Sequence, residues 1–387
     1  MNTKINVIAK FGYLSLVAAL VVACVSTVKP YEESAEIVPQ TEADDRLWHA
    51  SRQFDAALAK SGNLIGNDDA DAYVQSVLDG LFPEREDVFR VHILKSADLN
   101  AMALPNGSIY INAGLLAAMA NEAQLATVLA HEGIHVLQKH SAEGRQRVKQ
   151  AAGWSMVFAL AGIPPGLFDM GLYSAIAGHS RANEQESDNL GYERLVAANY
   201  DVREASKVFE QMLIEVDASA IKQPYFFASH PKLQDRITNF DNLTIFEDKS
   251  KPMRLGAEDF HAALGEIRAL AIREKLAAGR YAALIALLEQ DDYRASYSAE
   301  GYFILAEAYR LRAVEGDNAL AKTAYEQAMA GGYLAPDAYK GAGILAYKDK
   351  RYDEAESFFE EYLANADQAD SERGFVEFYL NKIQESE

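Results

Sequence analysis

Apolar residues along the chain recur at helical spacing in two long stretches, and between them lies a short region where the period drops to two. Helical periodicity begins near Asp45 in "RLWHASRQFDAALAKSG" and resumes in "DADAYVQSVLDGLF". "VFRVHIL", "NAMAL" and "SIYIN" follow, short runs rich in strand-forming residues. The last two are separated by "PNG", whose Asn106-Gly107 pair predicts a hairpin turn because both residues tolerate positive φ. A small sheet is therefore expected directly ahead of a helix through "NEAQLATVLAHEGIHVLQKH". From about residue 257 the pattern is Ala, Leu, Tyr and charge at helical spacing, with no strand signal. These patterns predict an α+β, mainly helical fold, in which a domain with a small β-sheet precedes an all-α domain.

The all-α part carries a repeat. "AYKGAGILAYKDKRYDEAESFFEEYLANA" resembles a tetratricopeptide repeat, with Tyr339, Ala342, Gly343, Ala346, Tyr352, Ala355 and Phe359 at the small and aromatic positions. "ILAEAYRLRAVEGDNALAKTAYEQAMAGG" repeats the pattern with a longer turn, and "REKLAAGRYAALIALLEQ" is a weaker third copy. About three copies are needed to build a continuous core, and "SERGFVEFYLNKIQ" is expected to cap the stack. At 387 residues the chain exceeds what one core usually organises. The expected division is a leader over 1–23, a flexible tether over 24–44, the sheet-containing domain over 45–250 and the repeat domain over 257–387. Residues 151–178 are nearly uncharged but broken by Pro164-Pro165 and several glycines. They read either as a buried helical hairpin or as a flap facing membrane or substrate.

The N-terminus adds a location. Lys4 and Lys10 precede an apolar run from Phe11 to Ala23, which is the pattern of a secretory signal. That run is shorter than the about 20 residues a helix needs to span a bilayer. "VVAC" resembles a bacterial lipobox, which implies lipidation at Cys24 and, with Val25 rather than Asp next, the outer membrane; a soluble periplasmic protein is the alternative. Because Cys24 is the only cysteine, a disulfide framework and a cysteine-based zinc site or nucleophile are excluded. The formal charge is −20, and loss of the leader removes two lysines and makes it about −22. Such a surface repels phosphate backbones, so nucleic acid is not an expected partner. The polar, acidic segment after Cys24 holds too little apolar surface to order itself.

Candidate chemistry centres on "HEGIH". His131 and His135 are four apart, which puts them about 40° apart on one helix face, with Glu132 beside them. His140 lies nine residues from His131, about half a turn out of phase on a straight helix, and is expected to be structural or on the surface. A catalytic zinc usually takes three protein ligands and one water. Without a free cysteine in the domain, the third ligand must be a histidine or a carboxylate. "SRANEQESDNLGYERLVAANY" offers Glu184 and Asp188 four apart on a helix, so one could bind metal while the other orients a ligand histidine; Glu186 points to another face.

"NAMALPNGSIYINAGLL", "LATVLAHEGIHVLQKHS", "NEQESDNLGYERL" and "SHPKLQDRI" together resemble the gluzincin-type zinc metallopeptidase family that includes the CAAX prenyl proteases, HtpX, Oma1 and BepA-like periplasmic protease-chaperones. The resemblance covers roughly residues 45 to 245 and implies one zinc per chain, held by His131, His135 and Glu184, with Glu132 as the base and Asp188 behind the ligands. It further implies that Asn100, Ala101, Met102 and Ala103, running on to Leu104, form an edge strand that pairs with extended substrate. His230 would take the fourth zinc position as a regulatory ligand, and Arg236 would lie by the active site as a catalytic group. Many members carry glycine at the fourth position of the motif, whereas this chain has Gly133 at the third and Ile134 at the fourth. The implied function is a zinc metalloendopeptidase acting on unfolded or misassembled outer-membrane proteins, with the repeats recruiting clients or the outer-membrane assembly machinery. A repeat-based chaperone or scaffold with a silent or structural zinc site is the alternative.

Overall fold

A computed structural model describes residues 28–31, 37–85, 87–144, 179–219, 233–245, 247 and 251–385. Cys24, His230 and the apolar stretch 151–178 lie outside the described residues, and so do the expectations attached to them. Two amphipathic helices open the fold, α1 (Glu42–Ala59) and α2 (Asp68–Leu81). Each starts where a side chain takes a free helix N–H: Thr41 accepts from Asp44 and Asn67 from Ala70.

The expected strands follow as β1 (Arg90–Leu94), β2 (Ala101–Ala103) and β3 (Ser108–Asn112). They form a mixed sheet in the order β1-β3-β2. Arg90 lies opposite Ser108 in the parallel pair, and Ala101 lies opposite Ile111 in the antiparallel pair. The hairpin between β2 and β3 is present, but its turn differs from the expected one. Only Gly107 takes positive φ, at 87°, and its N–H donates to Leu104 O at 2.9 Å. Pro105 is the reason: its ring fixes φ near about −65°, which suits the second position of the turn Leu104–Gly107 and so places Asn106 third and Gly107 fourth.

A short helix, α3 (Ala113–Ala117), separates the hairpin from the histidine helix α4 (Glu122–Leu137). All sixteen residues of α4 are buried. It is enclosed by α2, by β2, by α5 (Arg181–Ala197), by α6 (Glu204–Ser219) and by α8 (Ala257–Ala277). A seventh helix, α7 (Leu233–Thr244), packs against α5 and α6. The approach of α2 explains the unusual Gly133. A Cβ there would sit 2.5 Å from Cε2 of the fully buried Phe82.

Helices alone complete the chain: α9 (Tyr281–Leu288), α10 (Asp291–Ala295), α11 (Ser298–Arg312), α12 (Asp317–Ala330), α13 (Pro336–Lys348), α14 (Tyr352–Asn365) and α15 (Arg373–Gln384). Helix α11 packs on α12 and α13 on α14, as hairpin repeats require. The small positions read from the sequence admit the aromatics of the partner helix: a Cβ on Gly343 would meet Phe359 Cδ1 at 2.6 Å. Ala342, Ala346, Ala355 and Phe359 are buried there.

The repeat helices share a core with the sheet-containing part. Arg268 of α8, fully buried, donates to Leu116 O at 3.2 Å and Met119 O at 2.9 Å. Tyr297 Oη donates to Ala117 O at 2.7 Å, and the buried Lys275 and Glu215 pair at 2.6 Å. The segment expected as a tether also contributes. Tyr31 and Ile37 are buried, and Tyr31 N–H donates to Leu137 O at 3.0 Å while its ring lies 4.1 Å beneath Lys139 Nζ. Composition alone hides this, because two apolar side chains gain an existing surface to cover without forming a core of their own.

Gly133→Ala should lower stability. Alanine favours a helix by about 1 kcal/mol over glycine, but overpacking against Phe82 costs about 1–3 kcal/mol. Thermal denaturation checks the balance, and an unchanged or raised melting temperature would mean that Phe82 swings aside.

Candidate metal centre

The site is made where α4 and α5 cross. His131 and His135 lie one turn apart on α4, and Glu184 and Asp188 lie one turn apart on α5. A capping box fixes the start of α5: Ser180 accepts from Asn183 N–H while the Asn183 side chain returns to Ser180 N–H, so Glu184 falls in the first turn. His131, Glu132, His135, Glu184 and Asp188 are all buried, none more than 4% exposed.

Their atoms converge as the spacing predicts. The Nε2 atoms of His131 and His135 are 2.9 Å apart. Glu184 Oε2 lies 3.6 Å from His131 Nε2, and Glu184 Oε1 lies 3.4 Å from His135 Nε2. Asp188 does not join this cluster but stands behind it, with Oδ1 2.9 Å from His131 Nδ1. Asp188 accepts from Nδ1 in the tautomer that leaves the Nε2 lone pair facing His135 and Glu184, and Arg236 Nη2, a donor shared with Asp188, lies 2.8 Å from the same Nδ1. Two imidazole nitrogens and a carboxylate within 4.8 Å of one another form the donor set of a zinc site. The residues therefore fit the metal that the motif implies.

Arg236 of α7 holds Asp188 in place. Its Nη2 is 2.6 Å from Asp188 Oδ1, and its guanidinium lies 3.8 Å from the Phe209 ring centroid. Nη1 stands 4.0 Å from Glu184 Oε2. Arg236, expected as a catalytic group, thus reaches the cluster from behind the histidines, where it positions Asp188 and screens the carboxylates.

His140 is buried, as a structural role expects, but it lies against the cluster rather than half a turn away from it. Helix α4 stops at Leu137, Lys139 takes φ 55° and a new helical turn starts at His140, so the phase of a straight helix no longer applies. His140 is buried, with Nδ1 2.9 Å from His135 Nδ1 and Nε2 3.1 Å from Glu186 Oε2. Burial pulls its pKa below the usual histidine value, and Glu186, hydrogen-bonded to it, pulls in the opposite sense. His179, which the sequence reading did not single out, stacks on His135 with centroids 3.8 Å apart. No local pattern marks it.

The strand expected to meet substrate lies at the sheet edge. Asn112 N–H donates to Asn100 O at 2.9 Å and Leu104 N–H donates to Ser108 O at 2.8 Å. By the alternation of an antiparallel pair, Ala101 and Ala103 turn their N–H and C=O groups to the outer side of β2. Ala103 and Leu104 line a small cavity together with His135 and Tyr31.

Asp188→Asn should weaken zinc binding by about 10–100-fold, because the amide disturbs the acceptor behind His131. Competition with a coloured chelator measures this, and unchanged affinity would remove Asp188 from the site's support.

Residues 67–244 match peptidase family M48. The beta-barrel assembly-enhancing protease of Escherichia coli (strain K12) is 26% identical over 274 residues, which cover 64% of this chain and 55% of that protein. The mitochondrial metalloendopeptidase OMA1 of Bos taurus is 29% identical over 166 residues, 40% of this chain and 32% of its own. That of Saccharomyces cerevisiae is 27% identical over 184 residues, 42% of this chain and 48% of its own. This chain thus spans about half the length of the first of these relatives. The matched segment contains both helices of the cluster, so residues 67–244 are similar to peptidase family M48, and their His/His/Glu cluster is consistent with a zinc-metalloprotease centre.

Proposed function

We propose that this protein is a zinc-dependent endopeptidase of the bacterial cell envelope that cleaves unfolded or misassembled proteins. One observation carries the reading: His131, His135 and Glu184 converge in a buried site, and Glu132 stands on the same helix between the two histidines. His131, His135 and Glu184 would hold the zinc, which when bound would supply Lewis acidity toward a scissile carbonyl and its attacking water. Glu132 takes the proton of that water and delivers it to the leaving amine. Asp188 and Arg236 keep His131 oriented, so its nitrogen stays in place through turnover.

The outer side of β2 supports a substrate class. The outward backbone groups of Ala103, the half-buried residue of β2, would pair with any extended chain and read no side chain, which favours unfolded over folded clients. The name of the Escherichia coli relative, a beta-barrel assembly-enhancing protease, supports outer-membrane clients or their assembly machinery as partners. The leader and Cys24 support attachment to the outer membrane by lipid. Among the described residues no helix is long and apolar enough to cross a membrane.

A chaperone activity of tetratricopeptide-type repeats accompanies the protease reading. An open groove supports it, lined by Leu270 and Arg273 of α8, by Tyr297 and Glu300, and by Tyr333 after α12.

Glu132→Gln should retain zinc and lower cleavage of an unfolded polypeptide by about 10²–10⁴-fold. Metal analysis with a cleavage assay on the purified protein tests this, and retained cleavage by Glu132→Gln would sink the proposal. Ala103→Pro, which removes one outward N–H, should lower kcat/KM about 3–10-fold with zinc unchanged, the worth of one hydrogen bond. An undiminished rate would show that substrate pairs elsewhere.

A further inference from the structure

The contact between His135 and His140 has no place in the mechanism above. We propose that His140 and Glu186 form a positioning pair that sets the tautomer and angle of His135, as Asp188 and Arg236 do for His131. The inference rests on the zinc reading of the cluster and deepens it.

Proton arithmetic carries the assignment. The Glu186 carboxylate, 3.1 Å from His140 Nε2, only accepts, so the proton of a neutral His140 lies on Nε2. His140 Nδ1 then offers a lone pair. With a cation rather than a proton between Nε2 of His131 and His135, the 2.9 Å contact between His140 Nδ1 and His135 Nδ1 takes one proton, which belongs to His135. His135 Nε2 is left with its lone pair, and that atom is the one turned toward His131 and Glu184. The hydroxyl of Ser187, 3.3 Å from His140 Nδ1, can reach the same nitrogen.

The geometry of the chain is built for this contact. Lys139 adopts φ 55°, a conformation unfavourable for a residue with a side chain. It breaks the helix just after α4, and His140, which starts the next helical turn, lies against His135. His140 is 1% exposed at its side chain whereas Glu186 is 50% exposed, so the pair runs from the metal cluster to the surface. The two ligand histidines are thus held by different devices: a buried carboxylate clamped by arginine for one, and a histidine backed by an exposed carboxylate for the other.

A competing use of the same atoms is a second metal ion held by His135, His140 and His179, whose ligand atoms also lie within 4.8 Å of one another. The rings of His135 and His179 argue against it. They are stacked at 25°, with centroids 3.8 Å apart, whereas two ligands of one ion point their nitrogens at a common centre from different directions.

The test is zinc affinity by chelator competition on the full mature chain at fixed pH, with the visible spectrum of the cobalt-substituted protein as a second readout. His140→Leu fills the space without an acceptor and should weaken zinc binding about 10–100-fold and shift the cobalt bands. His140→Asn, whose Oδ1 replaces Nδ1 as acceptor, should recover part of that loss. Glu186→Ala, at an exposed helix position that leaves folding intact, should weaken binding several-fold. Wild-type affinity and spectrum in either His140→Leu or Glu186→Ala would overturn the proposal, as would His140→Asn binding no better than His140→Leu. Two zinc ions per wild-type chain, falling to one in His140→Leu, would overturn it in favour of the second metal site. A wild-type chain that binds no zinc would instead defeat the protease reading, so the two failures are distinguishable.

Discussion

Three electron-pair donors buried side by side set the terms for this structure. The facing nitrogens of His131 and His135 are 2.9 Å apart, and Glu184 lies within 3.6 Å of both. In a dry interior such groups repel one another and leave hydration behind, a cost of several kcal/mol that a cation between them offsets. Everything around the cluster acts to hold these donors together and keep their protons on the far side. Asp188 and Arg236 do this for His131, and the turn at Lys139 brings a second histidine to the far side of His135.

Holding them requires that α4 not move, and its surroundings explain how. At its N-terminus, Asn121 caps the helix, and Asn121 and Gln124 both donate to Glu204 of α6. Glu122 is buried with Tyr73 Oη at 2.6 Å, Tyr200 Oη at 2.7 Å and Arg254 at 2.6 Å. Burial first, and then the carboxylate, push both phenols far above their usual pKa, which keeps them as donors. Just before the helix, Arg268 and Tyr297 donate to the carbonyls of Leu116, Ala117 and Met119 at the end of α3. These two residues belong to the helical run after residue 257. The repeats are therefore part of the support of the metal helix as well as a surface of their own.

Much of this was legible in the sequence because it depends on spacing along a single element. The period of two marked three strands, and the small and aromatic positions after residue 257 marked the helical hairpins. Four-residue spacing placed His131 with His135 and Glu184 with Asp188. The failures share a physical cause, since each depends on what one element meets elsewhere. The expected Asn-Gly turn gave way to one begun by Pro105, Tyr31 and Ile37 found a surface already built, and His140 was placed on a straight helix that ends three residues earlier. Gly133 looked like a departure in the motif until Phe82 was seen against it.

The sequence by itself determined which side chains could bind a metal, because residues one helical turn apart must share a face whatever surrounds them. It determined the fold class for the same reason, through periodicity. Only the tertiary structure decided which carboxylate faces the histidines and which stands behind them, because Glu184 and Asp188 differ by one turn on one face and their roles depend on how α5 crosses α4. It also decided that His140 lies against His135. A single left-handed residue redirected the chain, and the hydrogen-bond partners so brought together lie on helices that share no local pattern.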